Sequence, residues 1–254
     1  MLPSDVKSTI GQPFIELTVV ESTNIYAMDR LQANLAAHGS VFFAHHQTAG
    51  KGQHGKTWSD EPGTNIILSA IIDCSCLPLA KQFQLSMAVA LACFDLFNKY
   101  VPDEFSIKWP NDLYWRDRKA GGILIENQIR GTQWQAAVVG IGLNINQTRF
   151  PETLKNPVSL HQITGKKFET RFLARELCGF LEIRYQQLRK GSFDALLHEY
   201  NRHLYKSGET VRLKKENRAF YCRIQGVNQL GELLVEGGPQ ESFRFGEVEW
   251  VIGE

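Results

Sequence analysis

Residues 108–126 concentrate side chains that could handle an anion. Lys119 stands just before Gly121 and Gly122, and an Asn-Asp pair ends at Asp112. The lysine ammonium is a compact positive charge that suits a carboxylate or a phosphate. Glycines in a strand allow a ligand to approach the backbone closely. The stretch therefore predicts an anion-binding hairpin, and a surface hairpin whose charges only solvate its turns is the alternative.

A glycine-rich segment, Gly50-Lys-Gly-Gln-His-Gly55, satisfies the Gly-x-Gly-x-x-Gly pattern. In dinucleotide-binding folds this pattern opens a helix, whereas loop residues and then a strand follow it here, and no Gly-Lys-Ser/Thr closes a P-loop. We therefore disfavour both nucleotide folds. Three glycines with Lys51 and Lys56 instead predict a mobile cationic loop whose backbone N–H groups can wrap an anion. A flexible surface loop is the alternative.

Polar residues also stand where a helix is expected to begin. Ser22 or Thr23 is a suitable N-cap for an amphipathic helix that runs to about Ala37. Such an entrance leaves hydroxyls and backbone N–H groups directed out of the helix start, which suits a polar ligand. Most caps serve stability alone, so a purely structural cap is the alternative.

The surrounding apolar pattern predicts an α/β fold with a mixed sheet flanked by helices. Beyond residue 204 the sequence pattern changes to five short segments of alternating apolar and polar residues, divided by glycines. These segments predict a small β-barrel. Strands are expected at residues 41–46, 64–72 and 134–145, a hairpin at 105–126, helices at 78–100, 170–190 and 193–203, and a long loop with one helical turn at 150–167.

Composition narrows the class of protein. The net charge of +1 gives no electrostatic footprint for nucleic acid. The beginning of the sequence lacks a signal-peptide pattern, and no apolar run is long enough to span a bilayer, so we expect a cytoplasmic protein with no membrane partner. Five scattered cysteines do not make a disulfide framework, and free thiols are expected rather than a metal site.

Taken together and in order, these segments resemble the biotin–protein ligase family. The family pattern joins a Ser-Thr-Asn helix start, a Gly-Arg-Gly-Arg-Arg-Gly-like loop ending in Trp, a Lys-Trp-Pro-Asn-Asp turn with a following lysine, and a Gly-Ile-Gly-x-Asn strand end. Here these are residues 22–24, 50–58, 108–122 and 140–144. The resemblance implies a class II synthetase-like catalytic domain over residues 1–204 and an SH3-like β-barrel domain over 205–254.

The resemblance also implies an ATP-dependent biotin–[acetyl-CoA-carboxylase] ligase. Such an enzyme joins biotin to ATP with Mg²⁺, giving biotinyl-5′-AMP and pyrophosphate. It then passes the biotinyl group to one lysine of a biotin carboxyl carrier protein. No protein nucleophile is needed, because the carboxylate of biotin attacks the α-phosphate itself.

Roles for individual residues follow from the resemblance. Lys119 and Lys51 are the implied catalytic cations, since positive charge offsets the repulsion between a carboxylate and a phosphate. Asp112 and Asn144 are the implied Mg²⁺ ligands. The implied biotin-binding set is Ser22, Thr23, Asn24, Gln47, Lys51, Gly52, Gln53 and Lys119. The implied adenylate and ATP set is Gly50, Gly52, Gly55, Trp58, Asp112 and Asn144.

Departures from the family pattern carry their own expectations. Lys51, Gln53 and His54 stand where well-known members have arginine, so we expect a weaker hold on biotinyl-adenylate. About twenty residues precede Ser22, too few for the N-terminal helix-turn-helix domain of repressor members. A short form that does not bind DNA, as a monomer or weak homodimer, is therefore expected.

Three other readings remain beside this one. A lipoate–protein ligase shares the fold and the adenylation logic, and a biotin-binding sensor would keep only the pocket. A dinucleotide oxidoreductase is a distant third. Residues 145–160 are polar and broken by proline, which predicts a segment that orders over the adenosine. The sequence leaves open the general base for transfer, the carrier proteins and the role of the C-terminal barrel.

Overall fold

A seven-stranded sheet forms the centre of the larger part of the chain in the computed structural model, which describes residues 10–251. Residues 1–9 and 252–254, at the outer ends of the two predicted domains, lie outside the described part. The strands are β1 (Phe14–Leu17), β2 (Val41–Ala44), β3 (Ile66–Asp73), β4 (Phe105–Lys108), β5 (Asp112–Trp115), β6 (Arg118–Arg130) and β7 (Gln133–Leu143).

The strand order is β1-β2-β3-β7-β6-β5-β4. The β1–β2 pair is parallel and the other pairs are antiparallel, so the predicted mixed sheet is confirmed. In the centre, β7 lies between β3 and β6, with Gly140 opposite Ser69 on one side and Leu124 on the other. This register brings residues far apart in sequence onto one patch of the sheet.

Helices cover both faces of the sheet. They are α1 (Thr23–Gln32), α2 (Gln82–Tyr100), α3 (Leu160–Thr164), α4 (Thr170–Arg189) and α5 (Phe193–Arg202). Successive side chains of a strand point to opposite faces. Phe43 therefore packs in the large core that contains α2 and α4, whereas its neighbour Phe42 packs in a smaller core with Ala27 of α1.

One local expectation was wrong, and one strand was missed. Helix α1 ends at Gln32 rather than near Ala37, because Asn34 adopts a left-handed conformation with φ of 57° and Leu35 is left 67% exposed. The spacing of apolar residues was therefore not enough to predict where α1 ends. Strand β1 was not predicted at all, since its four half-exposed residues are too few to show an alternating pattern.

The predicted five C-terminal strands form one antiparallel sheet. They are β8 (Thr210–Lys215), β9 (Arg218–Val227), β10 (Leu233–Glu236), β11 (Ser242–Phe243) and β12 (Glu249–Trp250). The last of these segments was predicted to reach Ile252, which lies outside the described residues. The sheet is fastened to the larger unit through the Trp109 indole, which donates to the Gly231 carbonyl at 2.9 Å.

The remaining composition-based expectations concern thiols and membranes. All five cysteines are free, as predicted, and Cys76 alone among them is exposed. Within residues 10–251, none of the helices combines the length and apolar character that a bilayer crossing requires.

Candidate active site

A cavity of about 490 Å³, counting its open mouth, lies over the central strands of the large sheet. The start of α1, the glycine loop 50–58 and parts of β3, β6 and β7 enclose it. All eight residues of the predicted biotin-binding set line it: Ser22, Thr23, Asn24, Gln47, Lys51, Gly52, Gln53 and Lys119. From the predicted adenylate set, Gly52, Trp58 and Asp112 line it, whereas Gly50, Gly55 and Asn144 do not.

The closed end of the cavity is polar, although it is buried. Ser22, Thr23 and Asn24 are each 3% exposed or less. Ser22 occupies the predicted N-cap position, yet its side chain makes no capping hydrogen bond. The Gln47 Oε1 atom accepts from the Thr23 backbone N–H at 2.7 Å and from the Thr23 hydroxyl at 3.1 Å. Buried polar groups that are partnered in this way hold a fixed geometry for a ligand.

Asn24 is fixed from two sides. Its Nδ2 donates to Glu126 Oε2 at 2.8 Å, and its Oδ1 accepts from the Ser69 hydroxyl at 2.5 Å. The amide lies directly against Gly140, where an added Cβ would meet Asn24 Oδ1 at 2.2 Å. Gly140 is therefore required because a side chain there would displace Asn24 from the floor of the cavity.

Trp58 forms an apolar wall of the same cavity. Its indole packs on Gly142, where an added Cβ would lie 2.5 Å from the ring. The two glycines of the Gly-Ile-Gly-x-Asn motif thus make room for two different side chains, an amide and an indole. The Trp58 Nε1 is buried without a hydrogen-bond partner.

A cation, Lys119, also lines the cavity. Lys119 Nζ lies 2.7 Å from Asp112 Oδ1, and the two side chains are 35% and 19% exposed. Gly122 lies beside the pair, since an added Cβ would be 3.3 Å from Asp112 Oδ1 and 3.4 Å from Lys119 Nζ. Asn111 fastens the preceding turn to β6 by donating to the Ile123 carbonyl at 2.7 Å. An anion in the cavity would meet Lys119 already oriented.

Asn144 does not line the cavity, and its amide nitrogen bonds to the backbone. Its Nδ2 donates to the Val158 carbonyl at 3.1 Å and to the Lys119 carbonyl at 3.3 Å. It therefore joins the backbone of Lys119 to the segment after β7. That segment is anchored further, because the Lys119 N–H donates to the Asn156 carbonyl at 2.8 Å. Whether residues between these anchors order over adenosine stays a prediction.

The glycine loop, expected to be mobile, is folded on itself. The Gly52 N–H donates to the Lys56 carbonyl at 2.7 Å, and the Trp58 N–H donates to the Gly50 carbonyl at 2.9 Å. From its tip, Gln53 Nε2 donates across the cavity to the Ile123 carbonyl at 3.3 Å. The loop is therefore a small hairpin that covers the cavity and touches β6 through one side chain.

Three residues near the cavity were not assigned from the sequence. Ser69 could have been found, because it is a single polar residue inside the buried run of β3. Glu126 gave no signal, since it only ends an apolar run. Lys108 lies behind Asp112, with Nζ 3.3 Å from the Tyr114 hydroxyl. Burial lowers the pKa of Lys108 to about 8, and the charge of nearby Asp112 opposes that effect.

The residues present suit a magnesium ion that arrives with phosphates. Within residues 10–251 there is no group of three or more His, Cys, Asp or Glu that could hold a metal ion. Mg²⁺ commonly takes one or two carboxylates and completes its shell with water and substrate phosphates. Asp112 can supply one carboxylate at the cavity. The Asn144 oxygen stays a predicted ligand.

Comparison with known proteins shows similarity to one family of ligases. The model of the biotin/lipoate A/B protein ligase family matches residues 16–144. A Mycobacterium tuberculosis relative named biotin–[acetyl-CoA-carboxylase] ligase is 32% identical over 211 residues, covering 80% of this chain and 76% of the relative. The bifunctional ligase/repressor BirA of Bacillus spizizenii is 30% identical over 230 residues, covering 89% of this chain and 70% of the relative.

The fold is shared with a solved structure. The biotin protein ligase of Aquifex aeolicus, in complex with biotin and ATP, superposes with a TM-score of 0.78 at 24% identity. The match covers 92% of this chain and 97% of the Aquifex chain, so it includes the C-terminal sheet as well as the larger unit.

Proposed function

The chain belongs to the biotin/lipoate A/B protein ligase family, and from that membership we propose that it is an ATP-dependent biotin–protein ligase. One observation carries the proposal: a single cavity contains a buried polar floor against Gly140 and, two residues along β6 at Gly122, an oriented lysine, Lys119. Biotin has the matching shape, with a ureido ring at one end and a carboxylate at the other.

In the first step the biotin carboxylate attacks the α-phosphorus of ATP. A new P–O bond forms, the bond to the bridging oxygen breaks, and pyrophosphate leaves with those electrons. Two anions must approach each other, so a cation at their meeting point lowers the barrier most in the transition state. Lys119 occupies that place in the cavity, and exposed Lys51 adds positive charge at the mouth.

Mg²⁺, bound with ATP, would neutralise charge on the departing pyrophosphate. Asp112 would hold it on the protein side, and Asn144 is the second predicted ligand. Asp112 also contacts Lys119 at 2.7 Å, so the carboxylate holds the lysine side chain in a fixed orientation. The glycine hairpin excludes water from the mixed anhydride.

In the second step the amine of a carrier lysine attacks the acyl carbon of biotinyl-AMP. An amide bond forms, the bond between the acyl carbon and the phosphate oxygen breaks, and AMP leaves. The acceptor is a biotin carboxyl carrier protein, and the cytoplasm is the compartment where both would meet. The C-terminal part of the chain contacts the larger unit beside Trp109. A second cavity, lined by Gly231 and Phe245, shares Gln53, Asn111 and Ile123 with the first, so this part of the chain is placed to help receive the carrier.

The family also contains lipoate ligases, and the floor of the cavity favours biotin. The dithiolane ring of lipoate has no hydrogen-bond donor, whereas Ser22, Thr23 and Gln47 offer buried polar atoms. A ligand that leaves such atoms unpaired is rejected strongly. A sensor that only binds biotin would have no use for the Lys119–Asp112 pair.

Pyrophosphate release from ATP and Mg²⁺ tests the proposal. We expect release with biotin and not with lipoate, and we expect Lys119→Ala to slow it by about 10²- to 10³-fold, as for loss of other groups that stabilise transition-state charge. Lys167→Ala, at an exposed position away from the cavity, is the matched control. Release with lipoate alone would identify the sister ligase, and biotin binding without release would identify a sensor.

A further inference from the structure

A row of hydrogen bonds connects the floor of the cavity to Glu126, a residue that does not line the cavity. From Glu126 on β6 it passes through Asn24 and Ser69 to Thr23 and finally to Gln47. Strands β3 and β6, the start of α1 and the segment after β2 contribute to it. Such a row polarises its members together, so a change at one end can alter the other.

The direction of the row is set at Asn24. Glu126 Oε2, at 2.8 Å, and the Leu124 carbonyl, at 3.3 Å, can only accept hydrogen bonds. The amide nitrogen of Asn24 must face them, because the reverse orientation would place its oxygen against two acceptors. Its oxygen therefore faces Ser69 and accepts from the hydroxyl at 2.5 Å.

The consequence reaches Thr23. Because the single proton of Ser69 is directed to Asn24, the 2.8 Å hydrogen bond between Ser69 Oγ and Thr23 Oγ1 must be donated by the Thr23 hydroxyl. Gln47 Oε1, 3.1 Å from Thr23 Oγ1, is a second acceptor for the same proton. Thr23 is thus left with free lone pairs and no free proton, so it meets a ligand as an acceptor.

We propose that Glu126 is a positioning residue that makes this floor an acceptor for a ureido N–H, acting through Asn24 and Ser69 without touching biotin. The inference rests on the proposed function, since it assigns a selectivity device to the same cavity. A cyclic urea offers two N–H donors and one carbonyl, and an acceptor at Thr23 matches one donor. Without Glu126 the Asn24 amide can turn, and the Ser69 proton is then free to occupy Thr23.

Three variants test the assignment, with biotin affinity measured by calorimetry and KM values measured by pyrophosphate release. We expect Glu126→Ala to raise both the Kd and the KM for biotin about tenfold, the size of one net hydrogen bond to a charged group. The kcat at saturating biotin and the KM for ATP should stay unchanged. Glu126→Gln should restore affinity, since its amide oxygen can still accept from Asn24.

Gln128→Ala is the matched control, because Gln128 lies two residues along the same strand and faces the same side. Glu126→Ala with wild-type affinity would overturn the inference, and so would an equal loss in kcat and in ATP binding, which indicates general unfolding. A Gln variant as weak as the Ala variant would overturn it too. If the wild-type chain binds biotin but releases no pyrophosphate, the proposed ligase function fails instead.

Discussion

The floor of the cavity and the glycine hairpin above it are built in opposite ways. In the floor, Thr23, Asn24 and Ser69 are buried and bonded to one another, with 0–3% of each residue exposed. In the hairpin, residues 50–58, the lysines are exposed, and its side-chain contact with β6 is one long bond from Gln53.

The difference separates two tasks. A buried floor whose polar atoms are held in place penalises a wrong ligand, because any polar atom that the ligand leaves unmatched there has no water to bond. An exposed cationic hairpin attracts anions of many shapes, and its attraction is screened by salt. Selection among ligands therefore belongs to the floor, and retention of a negatively charged intermediate belongs to the hairpin.

Gly140→Ala should give the largest effect, because the new methyl group would lie 2.2 Å from Asn24 Oδ1 and break the row of bonds. Loss of the buried hydrogen bonds of Asn24 should weaken the binding free energy of biotin by about 3 kcal/mol, so we expect the biotin Kd to rise roughly a hundredfold. Gly238→Ala, in the connection between β10 and β11, is the control, since the nearest contact of the added Cβ would be 3.2 Å. Calorimetry with biotin alone measures the change, and unaltered binding would remove the distinction between floor and hairpin.

Lys51→Ala should have a smaller effect of a different kind. An exposed charge contributes about 1 kcal/mol, so we expect the KM for ATP to rise roughly fivefold. The difference from wild type should shrink between about 50 mM and 500 mM salt, because screening grows. A salt-independent loss would contradict the role given to the hairpin.

Gln53→Arg tests the hairpin by gain of charge. A guanidinium at the tip should slow the escape of biotinyl-adenylate roughly threefold, the size of an exposed ion pair. Rapid dilution of enzyme loaded with the adenylate measures the release rate. Equal rates in the two proteins would show that Gln53 is not the weak point of the hairpin.

The smallest effect is expected at Lys108, whose amine is largely shielded from water, in contrast to exposed Lys51. Its pKa is lowered from 10.5 to about 8, mainly by burial, so its charged form destabilises the fold below pH 8. That penalty fades as the pH rises from 8 towards 10.5, because the unfolded chain then loses its extra proton. Lys108→Met should therefore raise Tm by about 2–4 °C at pH 7, for roughly 1 kcal/mol.

Thermal unfolding at intervals from pH 7 to pH 10 checks this expectation. The gap between the variant and the wild type should narrow with rising pH. A constant gap would mean that Lys108 acts through packing rather than through its charge.

The sequence predicted the parts of the site that are local. The helix start, the glycine loop and the Lys119 hairpin each carry their chemistry within a few adjacent residues, and each one lies at the cavity. Ser69 and Glu126 could not be connected to Asn24 from the sequence, because the register of β3, β7 and β6 brings them together. The role of Asn144 was predicted from the motif alone. Its hydrogen bonds to backbone carbonyls could not be predicted, because they depend on the position of residues 156–158 beside the sheet.

The indole of Trp58 gives the molecule an optical reporter of its own. Of the five tryptophans in the chain, Trp58 lines the cavity, and its Nε1 is buried without a partner. A ligand that enters the cavity changes the polarity around that ring and hence the colour and intensity of its emission. Filling of the cavity and closure of the hairpin can therefore be followed in real time on unlabelled protein. The Trp58→Phe variant, which keeps the other four tryptophans, is the reference that lacks the Trp58 signal.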